Sequence, residues 1–120
     1  MKKILVIDDN ELILESIRIV LEDGKYEVIT ATNGFEGLEA ATEDVSLIIL
    51  DLSMPVMSGY EFYEKLRAQE DLNHVPVVIL TAQMKPEPID GVEIVAKPIN
   101  VNDLLSIVAI YTDQNDEVSA

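Results

Sequence analysis

The chain has 120 residues, no cysteine and a formal net charge of −15, a combination that fits one acidic domain large enough to bury a core. Without cysteine, the sequence excludes disulfides, thiolate metal sites and cysteine nucleophiles. The acidic balance argues against nucleic acid as a direct ligand and against an anionic membrane surface, because both require a basic face.

The apolar run nearest the start of the chain, residues 4–7, stops at Asp8. Four residues are too few for the hydrophobic region of a signal peptide or for a spanning helix. We therefore expect a cytoplasmic domain over residues 1–112, followed by a polar C-terminal tail over residues 113–120 that frays.

Short apolar runs alternate along the chain with amphipathic segments. Most of the runs are unbroken, which is typical of strands buried on both faces of a parallel sheet. Several of the intervening segments begin with helix-capping patterns, of which Ser58-x-x-Glu61 is a capping box. This order predicts a doubly wound α/β fold with five parallel strands and right-handed crossovers. The runs lie at residues 4–7, 28–29, 47–50, 77–80 and 94–96.

The segment between the fourth and fifth runs breaks this pattern. Nine residues separate Thr81 from Gly91, and two of them are Pro86 and Pro88. Proline lacks a backbone N–H and clashes with the preceding turn of a helix. We therefore expect the fourth helix to be missing or reduced, and the segment to be an irregular or mobile loop that leaves apolar surface of the fourth and fifth strands less covered.

Polar side chains follow four of the five predicted strands. Ligands of open α/β sheets bind beyond the carboxyl ends of the strands, so these side chains are expected to share one site. Three carboxylates in one cleft repel one another unless a pKa rises or a cation joins them, and Mg²⁺ suits a set of oxygen ligands. The residues are Asp8 and Asp9 after the first strand, Asp51 after the third, Thr81 after the fourth and Lys97 after the fifth.

Taken singly, these residues have simpler interpretations. Asp8 and Asp9 could cap a helix, Thr81 could end a strand, and Lys97 could be a solvated surface charge. The one histidine, His74, precedes the fourth strand and is expected in a surface loop away from this rim. The combination of residue types at successive strand ends is what favours a functional site.

A longer motif around Asp51 makes the interpretation more specific. With the other strand-end residues, it resembles the receiver domains of two-component response regulators over nearly the whole chain, from Lys3 to about Tyr111. The resemblance implies a flavodoxin-like strand order of 2-1-3-4-5. The matching positions are Asp8-Asp9, Asp51-Leu52-Ser53-Met54-Pro55-Val56-Met57-Ser58-Gly59, Thr81-Ala82 and Lys97-Pro98.

The resemblance implies a phosphoacceptor and a metal site. Asp51 is expected to accept a phosphoryl group as an aspartyl phosphate. Asp8 and Asp9 are expected to hold Mg²⁺ together with Asp51 and a backbone carbonyl, that of Ser53, and the metal neutralises charge on the transferring group. The donor would be a phosphohistidine on a histidine kinase or a histidine phosphotransfer protein.

The resemblance also implies groups that bind the phosphoryl oxygens. The Thr81 hydroxyl and the Lys97 ammonium are expected in this role, with Thr81 moving inward on activation. By the same resemblance, Ser53 and Gln83 are expected to flank the phosphoryl group and to tune its hydrolysis, and Gln83 could orient water only through hydrogen bonds. Members of the family often have a cis peptide at the position of Lys97–Pro98, and the sequence leaves that isomer open.

Two features depart from the resemblance. Ile94 stands three places before Lys97, where the family usually carries an aromatic residue, and the fourth helix is too short. Both lie on the face through which the family signals. We therefore expect intact phosphorylation chemistry and an altered signal output.

Three functions compete at this point. The first is a phosphorylation switch, not an enzyme toward other substrates. It would signal by binding an output protein or a second copy of the chain through the fourth and fifth strands, or it would be the receiver of a longer protein. The second is an interaction module of the same fold that is never phosphorylated. The third is a flavodoxin-like electron carrier, but Asp8-Asp9-Asn10 has the wrong charge for a phosphate loop and tryptophan is absent.

Overall fold

The computed structural model describes the backbone of residues 1–119 and the side chains of residues 1–113. This part of the chain forms a parallel five-stranded sheet with the order β2-β1-β3-β4-β5, which confirms the predicted fold class and strand order. The elements are β1 (Lys3–Ile7), α1 (Glu11–Asp23), β2 (Glu27–Ala31), α2 (Gly34–Ala40), β3 (Val45–Leu50), α3 (Gly59–Arg67), β4 (Val77–Thr81), β5 (Glu93–Ala96) and α4 (Val101–Ser119).

The helices begin at side chains that accept hydrogen bonds from the free N–H groups of the first turn. The amide oxygen of Asn10 accepts from two of them, at 3.0 and 3.2 Å. Asn33 and Asn100 each accept one, at 2.8 Å, and Ser58 and Glu61 form the predicted capping box. Each cap satisfies donors that the helix itself leaves unpaired, and so it fixes where the strand-end loop becomes helix.

Two apolar clusters bury the two faces of the sheet. Successive side chains of a strand point to opposite faces, so Leu5 and Ile7 join the cluster beneath α2 and α3, whereas Ile4 and Val6 join the cluster beneath α1 and α4. Each fully buried side chain of this size contributes roughly 1.5–3 kcal/mol relative to an exposed one. The clusters therefore hold the strands rigidly beneath the loops at their carboxyl ends.

The structure forms no helix between β4 and β5, which confirms that the fourth helix is missing. Residues 82–92, here called the strap, form no regular secondary structure and contact the face of the sheet that α2 and α3 cover. Ile89 and Val92 of the strap pack against the cluster beneath α3. The Tyr60 hydroxyl on α3 donates a hydrogen bond to the Glu87 carbonyl at 3.0 Å. The strap is therefore attached to the core both by apolar contacts and by a hydrogen bond.

The prediction that the fourth strand would be less covered is wrong. Every residue of β4 is buried. Val77 and Ile79 belong to the cluster against which Ile89 and Val92 of the strap pack, and Val78 and Leu80 belong to the cluster on the opposite face. The prediction is correct for β5, whose four residues are either exposed or half-buried. Mobility of the strap stays a prediction.

Helix α4 runs to Ser119 and so continues through most of the segment that was predicted as a polar tail. The domain boundary at residue 113 stays a prediction, and the side chains of residues 114–119 and the whole of Ala120 lie outside the described residues. No helix in the described range has the length and apolar character needed to cross a membrane.

Candidate functional site

The carboxyl ends of the strands bring the predicted acidic residues together. One carboxylate oxygen from each of Asp8, Asp9 and Asp51 lies within 4.8 Å of the other two. Asp8 and Asp51 are only 2 % and 5 % exposed, whereas Asp9 is exposed. The Asp51 N–H donates to the Ile7 carbonyl at 2.9 Å, so the ladder between β1 and β3 sets the spacing of these carboxylates. The buried Thr81 ends the adjacent strand β4.

Lys97 supplies the positive charge of the cluster. Its Nζ lies 2.6 Å from Asp8 Oδ2 and 3.6 Å from Asp51 Oδ1, and the side chain is mostly buried. The interpretation of Lys97 as a solvated surface charge is therefore wrong. Its backbone N–H donates to the Thr81 carbonyl at 2.8 Å, which ties it to the end of β4. The Lys97–Pro98 peptide that follows is cis.

The surroundings of Asp51 raise the pKa of its carboxyl group. Burial is the largest cause, followed by the negative charge of Asp8, with a smaller contribution from Asp9. The ammonium of Lys97 and the backbone N–H of Ser53 act in the opposite direction because they favour the charged form. A divalent cation among these carboxylates would offset their repulsion, and the donors are all oxygens, so the residues present fit Mg²⁺.

Two loop residues bond to each other at the exposed side of the cluster. The Gln83 side-chain Nε2 donates to Ser53 Oγ at 2.7 Å, and the Gln83 backbone N–H donates to Thr81 Oγ1 at 3.1 Å. The sequence indicated that Ser53 and Gln83 flank the site but did not indicate that they bond to each other. No spacing pattern relates two residues on different loops, and only the fold brings them into contact.

The loop after Asp51 explains much of the long motif. The Met57 N–H donates to the Pro55 carbonyl at 2.8 Å, which closes a γ-turn around Val56. Val56 has a φ of 73°, a left-handed conformation that is unusual for a β-branched residue. Gly59 then packs so closely that a Cβ there would lie 2.4 Å from the Asp51 carbonyl oxygen. The motif therefore encodes a tight return of the chain beside the Asp51 carboxylate.

Comparison with known proteins identifies this arrangement. The family model described as the response regulator receiver domain matches residues 4–109. The chain belongs to this family. Receiver domains are signalling switches of two-component systems, so the family predicted from the strand-end residues is confirmed.

Curated proteins with similar sequences include other response regulators. The uncharacterized transcriptional regulatory protein YkoG of Bacillus subtilis is 35 % identical over 119 residues, which cover 93 % of this chain and 51 % of YkoG. The polar-differentiation response regulator DivK of Brucella anthropi is 37 % identical over 82 residues, which cover 68 % of this chain and 67 % of DivK. The chain spans about half the length of the first curated relatives it matches.

Solved receiver structures share the fold. The chemotaxis protein CheY4 of Vibrio cholerae has 32 % identity and a TM-score of 0.82, with 92 % of this chain and 98 % of CheY4 covered. The response regulator TrrA of Thermotoga maritima, in complex with Mg(2+)-BeF, has 32 % identity and a TM-score of 0.79, with 92 % of this chain and 99 % of TrrA covered.

This receiver domain differs from the usual pattern on the side of the sheet that the strap covers. Ile94 is half-buried and packs against the cluster beneath α3. Rings on this side come from α3 instead: Phe62 lies in the cluster, and Tyr60 and Tyr63 pack against it. A side-chain rotation at position 94 would therefore move no aromatic ring.

Proposed function

We propose that this receiver domain is a phosphorylation-activated switch that accepts a phosphoryl group on Asp51. The observation that carries the proposal is the cluster of three carboxylates, from Asp8, Asp9 and Asp51, with the Lys97 ammonium beside Asp8 and Asp51. Within it, Asp51 heads the tight loop, and the backbone N–H of Ser53 lowers the pKa of its carboxyl group by favouring the charged form. A carboxylate is a competent nucleophile toward phosphorus.

The proposed donor is a phosphohistidine on a histidine kinase or a histidine phosphotransfer protein. A carboxylate oxygen of Asp51 forms a bond to phosphorus while the bond from phosphorus to the histidine nitrogen breaks. That nitrogen leaves with the electron pair and takes up a proton. The chain catalyses this transfer and the later loss of its own phosphoryl group, and it acts on no other substrate.

The proposed holders of Mg²⁺ are Asp8, Asp9, Asp51 and the backbone carbonyl of Ser53. When bound, the ion neutralises charge on the transferring phosphoryl group. Lys97 Nζ lies 3.6 Å from Asp51 Oδ1. A small movement of the Lys97 side chain would bring its ammonium to an oxygen of a phosphoryl group on Asp51. These groups therefore act by position and charge rather than by covalent chemistry.

The buried Thr81 hydroxyl is proposed to donate to another phosphoryl oxygen, because β4 ends beside Asp51. Its movement toward that group would pull on the strap, which begins at the next residue. The strap and the partly exposed strand β5 are therefore the proposed surface for an output protein or for a second copy of the chain.

The proposed location is the cytoplasm, where histidine kinases present their phosphohistidines. A direct nucleic-acid or membrane partner is not proposed, because the net charge is −15. The alternative function, an interaction module that is not phosphorylated, is favoured by one observation, the strap that replaces the fourth helix.

Incubation with acetyl phosphate and measurement of the intact mass separates the two functions. We expect one added phosphoryl group in the presence of Mg²⁺, little in excess chelator, and none in Asp51→Asn. Asp9→Asn should label more slowly, because the metal site loses a charge, and the exposed Asp23→Asn should label like the wild type. Labelling of Asp51→Asn, or full labelling in chelator, would overturn the assignment of the acceptor or of the metal.

A further inference from the structure

Strand β5 forms one edge of the sheet, and within the described residues it pairs only with β4. The Lys97 N–H donates to the Thr81 carbonyl at the end of β4. Because the backbone groups of successive strand residues point alternately to one side and the other, those of Ile94 and Ala96 point away from β4. These two residues therefore present backbone donors and acceptors that an added strand could pair.

The open edge is short because both of its ends are blocked. The Val92 N–H donates to the Ile89 carbonyl within the strap at 3.1 Å, and Pro98 has no N–H. The donors left for an added strand are thus those of Ile94 and Ala96. An edge bounded in this way accepts a short extended segment and offers no template for continued sheet growth.

The two faces of the sheet beside this edge differ in chemistry. On the face that α4 covers lies a groove of about 380 Å³, which is lined by Glu93 and Asp103 and, among the described residues, by no lysine or arginine except beyond its rim. On the other face, Ile94 is half-buried and packs against the same apolar cluster as Ile89 of the strap. One face therefore favours cationic side chains, and the other favours apolar ones.

We propose that β5 takes up a further strand from a partner protein, whose docking segment is extended, free of proline and alternates basic with apolar residues. Neighbouring side chains of a strand point to opposite faces, so the basic ones would enter the groove beside Glu93 and Asp103, and the apolar ones would lie beside Ile94. Backbone hydrogen bonds give such a complex its affinity, and the alternating side chains give it specificity. The inference names the kind of partner for the proposed output surface, so its place in signalling rests on the proposed function.

A second copy of the chain fits this edge poorly. Each copy has a net charge of −15, and the one charged residue of β5 is the acidic Glu93. Pairing of two β5 strands would bring the Glu93 and Asp103 carboxylates of both copies together, and like charges on paired strands are destabilising. Charge complementarity therefore favours a basic partner.

The probe is a short synthetic peptide in which lysine and valine alternate, titrated into the ¹⁵N-labelled chain and followed by NMR. We expect the amide shifts to concentrate on residues 92–96 and along the groove, with the N–H groups of Ile94 and Ala96 protected from exchange. The same peptide with glutamate in place of lysine, or with methylated backbone nitrogens, should not bind. Equal binding by either control peptide, or shifts centred on the opposite edge β2, would overturn the proposal.

Two variants test the edge and the groove separately. Ala96→Pro removes an outward N–H but no hydrogen bond to β4, so it should fold and weaken peptide binding about three- to tenfold, the change expected from one neutral hydrogen bond. Glu93→Gln combined with Asp103→Asn should also weaken binding about three- to tenfold, because two exposed ion pairs are lost. Glu39→Gln with Asp71→Asn makes the same charge change at exposed positions elsewhere and should bind like the wild type. Unchanged affinity in the groove variant would overturn the proposal even if Ala96→Pro does not fold.

Sedimentation velocity and labelling with acetyl phosphate separate the remaining outcomes. We expect a monomer, and a dimer that Ala96→Pro dissociates would overturn the basic partner in favour of a second copy. Peptide binding is measured on the unphosphorylated chain, so it does not depend on the labelling of Asp51. A chain that binds the peptide but takes up no phosphoryl group would overturn the proposed function and support strand addition, whereas a labelled chain that does not bind the peptide would overturn strand addition alone.

Discussion

Gly59→Ala tests whether the close return of the chain beside Asp51 is as tight as the structure shows. The new Cβ would lie 2.4 Å from the Asp51 carbonyl oxygen, 2.8 Å from Leu52 Cα and 3.1 Å from the Asp51 carbonyl carbon. All three are backbone atoms, so no flexible side chain can move aside, and the loop must shift until the nearest contact exceeds 3.0 Å.

The expected loss of stability follows from two opposing effects. Overpacking against backbone costs about 3 kcal/mol. The higher helix propensity of alanine offsets about 1 kcal/mol of that cost, since position 59 begins helix α3. The net loss is then about 2 kcal/mol, which lowers the melting temperature of a 120-residue domain by about 8 °C.

Thermal unfolding followed by circular dichroism, with a urea titration at 25 °C, measures this change. Gly24→Ala is the matched control, because its φ is −78° and its nearest neighbour would be the Cδ2 end of the Leu105 side chain at 3.1 Å. It should change stability by less than about 0.5 kcal/mol. A melting temperature of Gly59→Ala equal to that of the wild type, or an equal loss in Gly24→Ala, would refute the reasoning.

Two further predictions concern the charge cluster and the strap. Lys97→Ala leaves the carboxylates of Asp8 and Asp51 without their ammonium, so the protein should fold with about 2 kcal/mol less stability. Mg²⁺ should then raise the melting temperature of this variant more than it raises that of the wild type. An equal or smaller rise would contradict the pairing of Lys97 with these carboxylates. Residues 83–90 of the strap should exchange amide hydrogens quickly in the free protein and become protected with beryllofluoride, as expected for a segment that orders on phosphorylation. Strong protection in both states would mean that the strap is already rigid.

The sequence was sufficient to predict the fold because its signals were local and mutually consistent. The unbroken apolar runs marked the buried strands, and Ser58 and Glu61 marked the start of α3 with a capping box that the structure forms. The two prolines in the strap correctly excluded a helix there. Each of these inferences depends only on residues that are close together in the chain.

The contacts that could not be predicted join residues that are far apart in the chain. The motif residues correctly indicated that Asp8, Asp51 and Lys97 share a site, but not that the ammonium of Lys97 lies nearer to Asp8 than to Asp51. Burial of β4 was missed for a similar reason, because the packing of Ile89 against the core depends on the path of the strap. These distances are set by tertiary packing, which overrides local preference.

The absence of a helix between β4 and β5 also shortens the connection between these two strands. The connection from β4 to β5 spans 11 residues, from 82 to 92, whereas the connection from β3 to β4 spans 26 residues, from 51 to 76. Because the entropy of loop closure varies with the logarithm of loop length, the shorter loop costs about 0.8 kcal/mol less to close. The edge pair of the sheet thereby has a lower contact order than the pair beside it, which favours rapid pairing of β4 and β5 as the chain folds.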